Sequence, residues 1–442
     1  MRAKELRSRR RRRVPNPGAR AHRPVGWPVM RTSSLTGARI AVAAAFFAQG
    51  FVFISLTTRL PRFLERWGLD EVTLSLLLLM MVLLAGVGSL VAERAARRFG
   101  SAGTLRLGLA LMVVAVPALT LAPAIGFFVG GVAVYGVALG LVDATTNMQA
   151  VDLEHRYGRP ILPSSHGYWT TGGISAAVVV LATGHLSPAV GAFVVLVPLV
   201  VAFAPFLPHV APTPVLAPGV PTSGVAAGPT TTPGDAAAQA GALVPWRPIW
   251  LVGAGLVVFY MVDTTAATWG PVYLARSFDA PGNLVALATF PYLVTSIVVR
   301  LAGGHLVTRF GVATVLRVGA VLACGALALV ALAPTWQLAV AGFTVLGAAV
   351  ALVAPLSFSA AGRIAAGTAG TAEAQAQADR ARTDAVIARF NQFNYVGALL
   401  GAVLTGLVGA DNLRLGFALP AVLVLALVPL APAFARGTLS RR

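Results

Sequence analysis

Charge is the first thing this sequence has little of: 11% of its 442 residues are charged, while 57% are hydrophobic. A soluble domain carries about a quarter charged residues to cover its surface, so a water-facing globule is excluded. Cysteine is nearly absent. Cys324 is the only one, which rules out an intrachain disulfide and any cysteine-based metal site. The chain also lacks a Gly-rich phosphate loop of the Walker type, a metal-ligand cluster and a nucleophile elbow. ATP-driven pumping and enzymatic catalysis have no residues to carry them, and no cofactor is expected. Acids are scarce, 15 against 34 basic residues, for a net charge of +19. In a soluble chain that excess would suggest nucleic acid, but much of it belongs to one tail, RSRRRRRVPNPGARAHRPVGWP. The tail has neither the aromatic interleaving nor the pattern of a nucleic-acid module, and reads as a disordered arm touching anionic lipid. Met30 is a second candidate start that would remove most of it.

What is present is apolar sequence in runs of helical membrane length. Crossing ~30 Å of hydrocarbon takes about 20 residues as a helix, and the runs lack the strict alternation of barrel strands. Runs bounded by charge, Gly or Pro predict twelve spans. The first six are 40–57, 72–92, 105–121, 125–150, 164–183 and 188–207. The second six are 249–270, 284–301, 313–333, 338–360, 387–408 and 415–434. Arginines concentrate in the tails and even-numbered connections (Arg94, Arg97, Arg98, Arg156, Arg309, Arg363), and the other side holds only Arg59, Arg62, Arg66, Arg276 and Arg414. The positive-inside rule therefore puts both termini in the cytoplasm, as an even span count requires. The expected layout is a tail at 1–37, six helices at 38–208, a Pro/Ala/Thr/Gly-rich linker at 209–246, six helices at 247–435 and a tail at 436–442.

The halves resemble each other. RFGSAGTLRLG begins at Arg98 and RFGVATVLRVG at Arg309, 211 positions later; the same offset aligns VYGVALGLV from Val134 with VLGAAVALV from Val345. Two related bundles rocking around a midplane site are a transporter architecture. Glycines at 86, 88, 131, 136, 140, 397 and 401 would let the helices approach closely.

Within these runs a few polar side chains stand out. GLVDATTNMQA places Asp143, Thr146 and Asn147 on one face of span four. A charge near the bilayer centre costs about 2.5–3.5 kcal/mol on insertion scales and normally faces protein or water. Asp143 either lines a solute and proton pathway or pairs with a loop arginine such as Arg94 or Arg156. Asp263 lies deep in span seven with Tyr260 on its face, as a cavity residue or a hydrogen-bonded structural one. Intramembrane carboxylates suit reversible protonation, so proton coupling is expected with either aspartate as carrier. His166, Trp169 and Thr170 share a face of span five. His166 is either a titrating pathway group or an interfacial residue, and Trp169 suits stacking on a flat or sugar-like solute. Asn391 and Asn394, beside Gln392 and Tyr395, suit hydroxyl-rich ligands or bonds across helices. Gln49 interrupts span one. Arg59, at the outer end of that span, is a gate pairing or, preferably, an interface anchor. Arg300 reads as a gating or structural residue.

Twelve spans, a six-plus-six repeat, a long middle linker and paired Arg-Phe-Gly connections resemble the major facilitator superfamily. The stretch DATTNMQAVDLEHRYGRPILPSSHGYWTTGG is similar to a bacterial branch with Asp-x-x-x-Asn-x-Gln ending span four and Ser-x-His-Gly-x-Trp opening span five. Asp143, Asn147, Gln149, Ser164, His166, Gly167 and Trp169 occupy those positions. The resemblance implies an all-α fold of two six-helix bundles, with span seven lining a cavity. Two features depart from it. The signature Gly-x-x-x-Asp-Arg-x-Gly loop has Glu93 and Arg97 where Gly and Asp belong, and Thr308 replaces the acid in the second half. Glu93 and Arg97 lie one turn apart and would substitute as an ion pair, at a few tenths of a kcal/mol.

The functional expectation is a monomeric secondary transporter of a bacterial inner membrane. It moves a small organic solute by alternating access, with proton coupling implied by the resemblance and by the intramembrane carboxylates, and with efflux slightly favoured over sugar-like symport. A non-transporting sensor or scaffold of the same fold is the rival from another class.

Overall fold

The computed structural model describes residues 32–157, 161–186, 188–208, 246–366, 390 and 392–435. Among them every regular element is helical. Residues 1–31 of the expected N-terminal tail, the C-terminal tail, the insert at 367–389 and all of the expected linker except Trp246 lie outside the described residues; residues 32–37, expected in the tail, instead form the start of the first helix.

Span one is Thr32–Thr57, followed by a short amphipathic helix, Leu60–Trp67, with a proline in its first turn. Asp70 then caps the next helix, accepting the Thr73 N–H at 2.8 Å. That helix, Glu71–Thr120, contains spans two and three and turns at Gly100, where φ is 79° and ψ 155°. Gly311, the matching residue of the second half, has φ 79° and ψ 154° between spans eight and nine. A side chain is strained at such a φ, which explains glycine in both Arg-Phe-Gly turns. The repeat is therefore structural, down to one backbone torsion. Span two outruns its apolar stretch because Glu93, Arg94, Arg97 and Arg98 are exposed, helix-compatible residues. Hydropathy marks where hydrocarbon ends, not where the helix does.

Span four is Ile125–Tyr157 and span five Leu162–Thr183. Span six opens as a 3₁₀ turn, Pro188–Val195, and continues as Leu196–Ala202. Span seven combines Trp246–Thr264, a π turn at Thr265–Trp269 and Gly270–Phe278. Pro271 explains the rewinding, since it supplies no N–H and its ring crowds the preceding turn. Two bonds hold the widened turn: Trp269 Nε1 donates to the Ala402 carbonyl at 2.9 Å, and the Thr265 and Thr405 hydroxyls meet at 2.8 Å. Span eight is a 3₁₀ turn, Leu284–Ala288, plus Phe290–Phe310. Span nine is Val312–Leu332, and span ten is Trp336–Val350 plus Val353–Ala366. Span eleven is Gln392–Val408 and span twelve runs from Leu413 to Phe434.

Glycines set the helix contacts, and the two halves use them alike. A Cβ on Gly136 would lie 2.6 Å from the Met81 carbonyl, and one on Gly347 would lie 2.1 Å from the Tyr292 carbonyl. These residues correspond at the repeat offset, so spans two and four pack as spans eight and ten do. Gly88 and Gly140 tighten the first pair. Gly397 and Gly401 do the same between spans seven and eleven, while Gly50 and Gly172 join spans one and five. Gly86 departs from the expectation, with open space around it. The outer surface is apolar, with Leu83, Val114, Phe193, Val200, Leu301 and Val422 all exposed. Such a surface would aggregate in water but matches lipid.

Gln149, from the motif at the end of span four, is fully buried and structural. It donates to Ser101 Oγ at 2.7 Å and to the Leu207 carbonyl at 3.1 Å, and it accepts the Leu207 N–H at 2.9 Å. It ties span four to the end of span six. We expect Gln149→Leu to lose about 2–3 kcal/mol of stability, because buried backbone groups lose their partners. Thermal unfolding in detergent checks this, and an unchanged midpoint would contradict it.

Candidate functional site

Asp143 receives hydrogen bonds from both halves of the molecule. Gln49 Nε2 of span one donates to Oδ1 at 3.2 Å, and the Tyr395 hydroxyl of span eleven donates to Oδ2 at 2.6 Å. Asn147, one turn along, donates to the Asp143 carbonyl at 2.8 Å and approaches Oδ1 at 3.5 Å. Tyr395 also bonds Ser89 of span two. The loop arginines are engaged elsewhere: Arg156 pairs with Asp152 at 2.9 Å, and Arg94 leans on the Leu90 carbonyl.

Asp263 accepts the Tyr292 hydroxyl of span eight at 2.5 Å, a partner in its own half. One face of span eight carries Arg300, whose Nε donates to the Ala351 carbonyl at 3.1 Å and whose guanidinium donates to Thr170 Oγ1 at 3.3 Å. The second bond again crosses between halves. Its neighbour Leu301 is 83% exposed towards the lipid side, so Arg300 is the residue of that pair turned inward. Its field reaches Asp263, Tyr260, Tyr292 and His166, and that of Asp143 reaches His166, Tyr260 and Tyr395. Two carboxylates, one guanidinium and one imidazole thus form a single electrostatic group where the halves meet. Neither aspartate has an ion-pair partner within 4.0 Å; the ion pairs among described residues are Arg156–Asp152 and Arg276–Glu71.

His166 stacks edgewise on Phe46 at 5.1 Å, yet is exposed. Trp169, half-buried, tilts against Phe53 at 6.1 Å, and Tyr260 packs on Phe259 at 4.9 Å. Asn394 is half-buried one residue before Tyr395. Asn391 lies outside the described residues. Gln49 Oε1 and Thr146 Oγ1 are buried without a hydrogen-bond partner. An acceptor so sealed costs about 1–3 kcal/mol.

The readings of the gating residues need correcting. Arg300, expected as a gating or structural residue, lies in the central group, where its bond to Thr170 crosses between the halves. Glu93 and Arg97 are exposed and make no ion pair within 4.0 Å, as two solvated side chains gain little by pairing. Arg59 is not an interface anchor. It is 9% exposed, donates to the Ser55 carbonyl at 2.8 Å and lines a cavity between the halves. Burial, aided by the nearby Arg62 charge, lowers its guanidinium to about 10. The halves close on each other at this end. Arg276 donates to the Leu69 carbonyl at 3.0 Å and lies 3.9 Å from Glu71, while a Cβ on Gly184 would meet Asn283 Cα at 2.6 Å.

Sequence reasoning missed Tyr292 and Ser89 and gave Tyr395 no role. The one available signal was Arg300, a charge inside an apolar run, which marks a face where polar partners should be sought.

The sequence profile of the Major Facilitator Superfamily matches residues 3–161 and 251–440. The chain belongs to the Major Facilitator Superfamily. Similar proteins include an uncharacterized transporter of Sinorhizobium fredii, 27% identical over 72% of this chain and 80% of that one. An uncharacterized MFS-type transporter of Yersinia pestis is 22% identical over 90% and 96%. Among solved structures, a nucleoside transporter superposes with TM-score 0.61 at 16% identity, covering 91% of this chain and all of that one. A D-xylose-proton symporter gives TM-score 0.61 at 14% identity, covering 90% and 99%. These likenesses establish the superfamily fold of two six-helix bundles. The relatives are transporters, not enzymes.

Proposed function

We propose that this superfamily member is a secondary transporter of a bacterial cytoplasmic membrane, exchanging protons for work on a small polar organic solute. The observation that carries the reading is the cross-half bond between Tyr395 and Asp143. A carboxylate whose hydrogen bond spans the two bundles changes that bond when it takes up a proton, so titration and rocking are linked. Asp143 is therefore the proposed proton carrier. Asp263, bonded within its own half, is the proposed solute ligand with Arg300 opposite. The amides of Gln49 and Asn147 and the ring of Trp169 favour a solute bearing hydroxyl or amine donors. Two structural neighbours named for nucleosides and for D-xylose with protons are compatible with that class.

The arginine bias assigns the Arg59 end to the outside and the termini to the cytoplasm. With the halves joined at that end, we read the conformation as closed on the outside. Arg300 gives the central site a group able to capture an anion, and net direction follows the gradients.

The test uses purified protein in liposomes with an entrapped pH dye. A thermal-shift screen of sugars, polyols, nucleosides, amino acids and amines selects the solutes, and flux is read under an imposed pH gradient. We expect solute-dependent proton movement above empty vesicles, and about a tenfold higher KM in Asp263→Asn from loss of a charge-assisted bond. If stabilising solutes move no protons, the coupling is wrong; if none moves at all, the non-transporting rival stands.

A further inference from the structure

Away from the central site, the outer mouth holds a cavity of about 240 Å³. Its wall includes Arg59, Arg62, Glu65 and Gly184 from the first half and Gly282 and Val285 from the second. Drug-sized ligands occupy roughly 300–1,000 Å³, so a smaller guest is indicated. The lining carries two guanidiniums against one carboxylate, and neither arginine has an ion-pair partner within 4.0 Å among the described residues. Arg59 is held in place on two sides: it donates to the Ser55 carbonyl at 2.8 Å, and a Cβ on Gly191 would sit 3.0 Å from its Nε. One of its five N–H groups is thereby used, and none of its nitrogens is sealed without a partner. Arg62, half-buried on the same cavity wall, donates to the Leu186 carbonyl at 2.9 Å. Burying the Arg59 charge with that of Arg62 nearby is costly unless an anion offsets it.

We propose that this cavity binds a small oxyanion, a phosphate or similar group, held by Arg59 and Arg62 between the two halves. Because both halves contribute to the wall, the bound anion stabilises the closed outer mouth. The oxyanion comes either from solution or from the headgroup of an anionic lipid, and the two sources separate experimentally.

The full-length protein is heated in neutral detergent with sodium phosphate or with sodium chloride at matched ionic strength. In parallel it is reconstituted in phosphatidylcholine with and without phosphatidylglycerol, and unfolding is followed there too. Arg62→Gln is the main variant, since Arg62 is only partly buried and its loss leaves the packing intact; Arg59→Lys keeps the charge but not the fork. Arg317→Gln, exposed on span nine, is the control. A saturable upward shift with phosphate, needing about tenfold more phosphate in Arg62→Gln and unchanged in the control, supports a free oxyanion. A shift produced only by phosphatidylglycerol, and lost in Arg62→Gln, supports the headgroup source. No shift in either medium, or equal shifts in wild type, Arg62→Gln and Arg59→Lys, overturns the proposal.

Discussion

Asp143→Asn is expected to abolish proton-driven accumulation while sparing exchange of solute across the membrane. The amide is close to isosteric, and its oxygen still accepts from the Tyr395 hydroxyl that now sits 2.6 Å from Oδ2. Its amino group would face the Gln49 amino group, which presently donates at 3.2 Å. Gln49 resolves that conflict by turning over, because its own oxygen has no partner in the present arrangement. The fold and the tie between halves are retained, but the group can no longer gain or lose a proton. Under an imposed pH gradient the internal-to-external solute ratio should fall to about one, with counterflow kept within about threefold, as for loss of one coupling step without loss of binding. Accumulation by Asp143→Asn at the wild-type level would remove this residue from the coupling scheme.

Arg300→Gln is expected to lower counterflow kcat/KM by about a hundredfold. At an effective dielectric near 20, charges somewhat beyond contact still interact by roughly 2–3 kcal/mol, and Arg300 is the cation whose field reaches Asp263, Tyr260 and His166 together. Glutamine keeps one donor for the Ala351 carbonyl, now met at 3.1 Å, so the loss is electrostatic rather than structural. Arg300→Lys should recover part of the rate, since lysine restores charge without the guanidinium fork that reaches Thr170. A glutamine variant transporting within threefold of wild type would place Arg300 outside the solute's reach. Size-exclusion profiles and the thermal midpoint separate that result from misfolding.

Hydropathy located the apolar part of each helix, because a helix in lipid must satisfy its own backbone, but not the ends: span one begins at Thr32, span four runs to Tyr157 and span eight to Phe310. The Arg-Phe-Gly repeat likewise announced two matched turns, and Gly100 and Gly311 share their torsions. The site was legible only in part. Asp143 was conspicuous as an acid in an apolar run, but its partners Gln49 and Tyr395 lie 94 and 252 positions away. A span's hydropathy fixes depth, not which neighbour a side chain will meet. Tyrosines such as Tyr292 are unremarkable in membrane sequence and become informative only when a carboxylate is opposite. Arg59 was misplaced for a related reason. Its position near the end of an apolar run fits an interfacial anchor, and only the packing of span six against it, through Gly191, takes it away from lipid.

The matched glycine torsions give the two halves the same elbow, each a single residue at φ 79° and each of the type with the widest backbone freedom. Spans two and three, and likewise eight and nine, can therefore hinge at equivalent points. A second soft element lies in span seven. The widened turn at Thr265–Trp269 holds a residue more than an ordinary turn and lies two positions beyond Asp263, so a shift of its register would pass directly to the carboxylate.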